Sequence, residues 1–263
     1  MKIGFIGCGN MASAIMGGII KEKVFAPADI YGTDTLAAAA DRAAEKFGIE
    51  KADGNAALVK AVDIVVLAVK PQYYQTVIEE IRDAVENQLV ITIAPGKTLS
   101  WLADRFGKDV RIVRTMPNTP AMVGCGMTAM CCNDFVTEAD KETAGKILGG
   151  FGDYEIIPEH LMDAVVAVSG SSPAYVFMMI EAMADAAVMG GMPRPQAYKF
   201  AAKAVEGSAA MVSELGKHPG ELKDMVCSPA GTTIEAVRVL EEKGFRSALI
   251  ESMIACIDKA ASM

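Results

Sequence analysis

Over the first 157 positions, apolar residues fall in short unbroken runs. Between these runs lie Ala-rich stretches in which apolar residues recur every three or four places. KIGFI (2–6), DIYGT (29–33), DIVVLAV (63–69), LVITIA (89–94), VRIVRT (110–115), MTAMC (127–131) and YEIIP (154–158) predict strands, while TLAAAADRAAEKFG and QYYQTVIEEIRDAVEN predict helices. Runs without polar alternation belong to strands covered on both faces, and strand–helix repetition requires right-handed crossovers, so this part is an α/β, doubly wound, mainly parallel sheet. After Pro158 the pattern changes. Helical periodicity covers 159–168, 172–190, 194–214, 218–226, 231–243 and 245–261, punctuated by SGSSP, GGMPRP, GKHPG, SPAG and EKGF. The expected domains are therefore 1–157 and an all-helical 158–263.

Composition sharpens this picture. Hydrophobic residues make up 52% of the 263 positions, with 17 Met, and that excess needs cover. The longest apolar stretch, 174–192, carries Glu181 and Asp185 at an i,i+4 spacing that lipid would penalise. It reads as a buried or subunit-interface helix, so the helical domain suggests a dimer interface, with a self-contained bundle as the alternative. The net charge of −8 with scattered Lys and Arg argues against nucleic acid. Six cysteines without a CxxC point to reduced thiols and a cytoplasmic protein. His160 and His218 lie far apart and no zinc spacing occurs, so no metal site is expected.

The N-terminal stretch MKIGFIGCGNMASAIMGGIIK admits two readings, an export signal or a strand, phosphate turn and helix. Glycines interrupt the apolar core an export signal needs, and cleavage would delete the first strand. In the second reading Gly7 makes the tight turn, Gly9 leaves room for a pyrophosphate, and Ala12 lets helix and sheet approach. The amides of Asn10, Met11 and Ala12 then open a helix toward the phosphates, making the sheet Rossmann-type. The second strand ends at Thr33-Asp34, where an acidic residue usually holds the adenosine ribose and repels a 2′-phosphate. Capping the next helix is the alternative for these two residues. Further candidates follow later strands: Lys70-Pro71, Met116-Pro117-Asn118, whose Asn118 amide offers a grip on a carboxamide or substrate, and Asn55. Ser228 to Thr233 reads as a helix start able to bind a carboxylate.

GFIGCGNMA, AVKP, MPNTPA, VSGSSPAY and HPGELKDMVCSPAGTTIEAVRVLEEKGFR together resemble the Δ1-pyrroline-5-carboxylate reductase family from residue 1 to about 257. The resemblance implies a Rossmann domain, a helical dimerisation domain, and NAD(P)H-dependent reduction of a cyclic imine to L-proline. It also implies assembly beyond the dimer, often as a ring of five dimers. On its motifs, Gly7, Cys8, Gly9, Asn10, Met11 and Ala12 form the pyrophosphate loop, and Asn55, Ala68, Val69, Lys70 and Pro71 are further cofactor contacts. Gly231, Thr232 and Thr233 hold the substrate carboxylate, with the Thr233 hydroxyl near the imine nitrogen and Ser171 a further substrate contact. Asp34 departs from the pattern of a strict NADPH enzyme, so NADPH is expected with NADH as the alternative. The substrate is expected at the domain seam, between helices of two subunits.

The scarcity of histidine agrees with imine reduction, because a protonated imine accepts hydride without the general base a hydroxy acid needs. The rival within enzymes is a β-hydroxyacid dehydrogenase, whose GxxxKxxN pattern is absent here. A non-catalytic NAD(P)H sensor is the rival from another class.

Overall fold

The computed structural model describes residues 1–262. Eight strands form one sheet: β1 (Ile3–Ile6), β2 (Ile30–Thr33), β3 (Glu50–Lys51), β4 (Ile64–Leu67), β5 (Leu89–Thr92), β6 (Arg111–Met116), β7 (Gly126–Cys132) and β8 (Gly152–Ile156). Their order is β3-β2-β1-β4-β5-β6-β7-β8, and every neighbouring pair is parallel except β6 and β7. Helices α1 (Asn10–Lys21), α2 (Ala37–Phe47), α3 (Asn55–Ala61), α4 (Tyr74–Ile81), α5 (Leu99–Phe106) and α6 (Glu138–Gly149) supply the crossovers. The unbroken apolar runs are explained by cover on both faces. Ile3 and Phe5 of β1, Ile64 and Val66 of β4, and Leu89 and Ile91 of β5 enter one core, with Ala12, Met16 and Ile19 of α1. The alternate residues Ile6, Val65, Leu67 and Val90 enter the other, with Leu58, Tyr74 and Ile78. The α/β reading holds, and strand order reverses between β1 and β4, the place where such sheets collect ligands.

After β8 the chain is entirely helical: α7 (Met162–Val165), α8 (Ser172–Met189), α9 (Arg194–Leu215), α10 (Pro219–Val226), α11 (Thr232–Glu242) and α12 (Phe245–Ala261), preceded by a single 3-10 turn. SGSSP is not a break. Val166–Ser171 forms a π-helix that joins α7 directly to α8. Its wider turn is compatible with Pro173, which has no N–H to give the helical ladder. By packing, the chain divides into residues 1–171 with 256–263, and residues 172–255. The second unit buries little of its bulk. Ala184 is the buried residue of α8, Ala197 and Ala201 those of α9, Leu222 that of α10, and α11 has none. Phe177, Met178, Met189 and Phe200 remain 63%, 68%, 91% and 67% exposed. A self-contained bundle would hide such side chains, so these helices are built to be covered.

Candidate active site

Gly7 stands at φ +99°, and its N–H donates to the Thr33 carbonyl at 2.8 Å. A Cβ at Gly7 would lie 2.7 Å from the Ala68 carbonyl oxygen, so the glycine turn and the turn after β4 touch backbone to backbone. Gly9 caps α1 without a side chain, and a Cβ there would meet nothing within 4 Å. The first-turn amides of Asn10, Met11 and Ala12 therefore face an open bay, as an anion at a helix N-terminus requires. Ala12 is buried against the sheet. These residues fit a dinucleotide: a tight turn only glycine can make, space in front of bare amides, and a small residue behind. Cys8 is packed inside, with its S–H directed at the Thr33 carbonyl at 3.6 Å, and burial pushes its thiol up to about 12.

Asp34 is turned to the backbone. One carboxylate oxygen accepts from the Cys8 N–H at 2.8 Å and the other from the Leu36 N–H at 2.9 Å. It thus ties the glycine turn to the start of α2, in line with the capping reading of that position. Beside it opens a cavity of about 400 Å³ whose wall includes Thr33, Asp34, Asp41, Lys51, Asp53 and Gly54. Asp41, Lys51 and Asp53 were not singled out by sequence. Lys51 ends the two-residue strand β3, opposite Gly32 in register, and only that pairing brings it next to Thr33. Asn55 opens α3 beyond Gly54 and donates its amide to Glu80 at 2.6 Å.

On the other side of the switch point, Tyr74 is fully buried and donates its hydroxyl to the Leu67 carbonyl at 2.6 Å. This bond fixes the end of β4, from which Ala68, Val69, Lys70 and Pro71 leave, with Lys70 exposed. Met116 ends β6 and Pro117 follows it; Met116 lies against Gly170, whose Cβ would fall 2.8 Å from the methionine methyl. Asn118 is held inside the fold. Its oxygen accepts from the Met127 N–H at 2.9 Å and its amide donates to the Ser169 carbonyl at 3.1 Å. That amide pins the β6 loop to the π-helix rather than reaching outward. Ser171, at the end of the π-helix, accepts from the Cys256 thiol at 3.2 Å.

Gly231, Thr232 and Thr233 lie in the other unit. Gly231 caps α11 with no side-chain bond to the helix, and its own N–H closes a turn onto the Ser228 carbonyl at 3.0 Å. A Cβ at Gly231 would meet Ser228 Oγ at 2.3 Å, so any side chain there would force the Ser228 hydroxyl to turn away. The α11 amides are thereby left for an external anion, with the Thr232 hydroxyl exposed and that of Thr233 half-buried. His218 is a structural cap: its Nδ1 accepts from the Gly220 N–H at 3.1 Å at the start of α10.

Comparison with known proteins adds to this geometry. Residues 159–263 match the family model described as pyrroline-5-carboxylate reductase dimerisation, and residues 2–96 match one described as NADP oxidoreductase coenzyme F420-dependent. The pyrroline-5-carboxylate reductase of Escherichia coli (strain K12) is 54% identical over 267 aligned positions, covering 100% of this chain and 98% of that one. A solved pyrroline-5-carboxylate reductase from Coxiella burnetii superposes with a TM-score of 0.92 at 35% identity, over 99% of this chain and 97% of that one. The Plasmodium falciparum pyrroline carboxylate reductase, solved with NADP bound, gives 0.90 at 29% identity, over 100% and 97%.

Proposed function

The chain belongs to the pyrroline-5-carboxylate reductase family and reduces 1-pyrroline-5-carboxylate to L-proline, the final step of proline biosynthesis; from that premise we propose how its residues carry out the reduction. The cofactor is NAD(P)H, with NADPH favoured. When bound, it supplies a hydride from nicotinamide C4 to the imine carbon, C5. The pyrophosphate rests on the glycine turn, Gly7 to Ala12. Thr33, Asp34 and Asn55 stand on the adenosine side, and Ala68 to Pro71 with Met116 and Pro117 on the nicotinamide side. Asn118 acts through the loop it pins, and Ser171 is a further substrate contact.

The chain's own contribution is positioning and charge. The free amides at the start of α11, with the Thr232 hydroxyl, hold the substrate carboxylate and fix the ring, and Gly231, whose own N–H is taken by Ser228, lines the site as the bare cap of that helix. The Thr233 hydroxyl stands near the imine nitrogen, which carries a proton in the reactive form, and orients that N–H. As the ring accepts hydride, the positive nitrogen becomes a neutral amine and no further base is needed. The observation that carries this reading is the α11 start, where Gly231 caps the helix and no side chain bonds its first amides.

The test follows NADPH and NADH oxidation with 1-pyrroline-5-carboxylate and, as control, with 3-hydroxyisobutyrate. Turnover of the imine alone, faster with NADPH, is expected. Thr233→Ala should lower kcat by less than about a hundredfold, the bottom of the range for loss of a general acid. Complete loss in a folded variant would show that Thr233 transfers the proton itself. The six cysteines are free, and we place the enzyme in the cytoplasm as a homo-oligomer.

A further inference from the structure

The cavity beside Asp34 has a wall of opposing charges, and their arrangement points to a residue that sets cofactor choice. Asp34, Asp41 and Asp53 line it, and Lys51 is the sole cation on that wall. Three carboxylates against one ammonium disfavour a 2′-phosphate unless that ammonium can turn to it, and two of the carboxylates already have partners. Asp34 has both oxygens committed to the backbone amides of Cys8 and Leu36. Asp41 is paired with Lys51, Nζ to Oδ1 at 2.6 Å, and both side chains are more than half exposed. An ion pair at that exposure is worth little and is readily exchanged. Lys51 is thus a cation delivered to the pocket by strand pairing and kept there by a partner it can leave.

We propose that Lys51 is the specificity residue for the cofactor's 2′-phosphate: it leaves Asp41 and pairs with the phosphate dianion, which the chain can therefore accept despite Asp34. Asp41 opposes it. The carboxylate stores the ammonium in the empty pocket and competes for it in the filled one, so the two side chains act on NADPH in opposite directions. The assignment rests on the reading that Gly7 to Ala12 holds the pyrophosphate, since that places the adenosine ribose at the end of β2.

Calorimetric titration of the intact protein with NADP⁺, NAD⁺, 2′-AMP and 5′-AMP, without substrate, tests it. In Lys51→Gln the ratio of NADP⁺ to NAD⁺ dissociation constants should rise roughly tenfold or more, as loss of a charge-assisted contact implies, and 2′-AMP should lose its advantage over 5′-AMP. In Asp41→Asn the same ratio should fall several-fold, because the ammonium is released and a competing charge removed. A second sign is the salt dependence of NADP⁺ binding, which should be shallower in Lys51→Gln than in wild type. An unchanged ratio in Lys51→Gln, or weaker NADP⁺ binding in Asp41→Asn, overturns the assignment while leaving the pyrophosphate site intact. Failure of wild type to bind either dinucleotide overturns both.

Discussion

Two non-glycine residues among those described stand at positive φ, Lys23 after α1 and Ala230 beside the proposed carboxylate site. Ala230 sits at φ +56°, immediately before Gly231, in the left-handed region that costs an L-residue about 1–2 kcal/mol. Ala230→Gly should therefore raise stability by about 0.5–1 kcal/mol, after allowing for the extra chain entropy glycine loses on folding. Chemical denaturation would show it as a higher midpoint with an unchanged slope. A lower midpoint would mean that the turn before α11 does not hold this conformation. The same turn shows how unevenly a site is legible at the scale of single residues. Gly7, Gly9 and Gly231 could be picked out because each stands at a strand-to-helix or loop-to-helix turn whose pattern is written in the local chain. Lys51 could not, because its partner Asp41 lies ten residues away and the two meet only through an edge strand without apolar signal. Nor could the inward turn of Asn118, which depends on Met127 and Ser169 arriving from elsewhere.

Elements were legible where burial imposed a pattern. The strands with unbroken Val and Ile runs appear within a residue or two of their expected bounds, whereas β3 is Glu50-Lys51 and leaves no trace in hydropathy. The antiparallel step from β6 to β7 was equally invisible, since burial on two faces reports nothing about strand direction. One ion pair holds that part of the sheet to the chain beyond it. Arg114 of β6, whose side chain is 6% exposed, donates to Glu159 at 2.7 Å, and Glu159 also accepts from the Leu99 N–H at 2.7 Å where α5 begins. The two partners are not equivalent. Glu159 is 32% exposed and can turn to water, but Arg114 cannot. Glu159→Ala should cost roughly 3 kcal/mol, the lower end for stranding a buried charge, and Arg114→Met, similar in length and apolar, markedly less. Equal losses in thermal unfolding of the two variants would refute the asymmetry.

For the whole molecule, the excess of apolar residues and the shape of the helical unit are one problem. Residues 159–189 are long and apolar enough to cross a bilayer, and little of the stretch is buried within the chain. Two features argue for protein as the cover. Glu181 and Asp185 lie inside it, Asp185 paired with Arg194 at the start of α9, and residues 159–263 match the family's dimerisation model. A second copy of the same helices offers matching apolar faces, so α8 and α9 would be covered by their counterparts. Light scattering on purified protein without detergent should then give a mass at least twice that of the chain, and ten times that if five dimers close a ring. Phe177→Glu, introducing a charge where a ring is now 63% exposed in the single chain, should shift the mass to the monomer. Because the glycine turn belongs to the other compact unit, this variant should still bind NADP⁺ while losing imine reduction if the site is completed only in the assembly. A monomeric variant with full activity would show that each chain carries a complete site, and a wild type that leaves solution without detergent would return the stretch to the membrane.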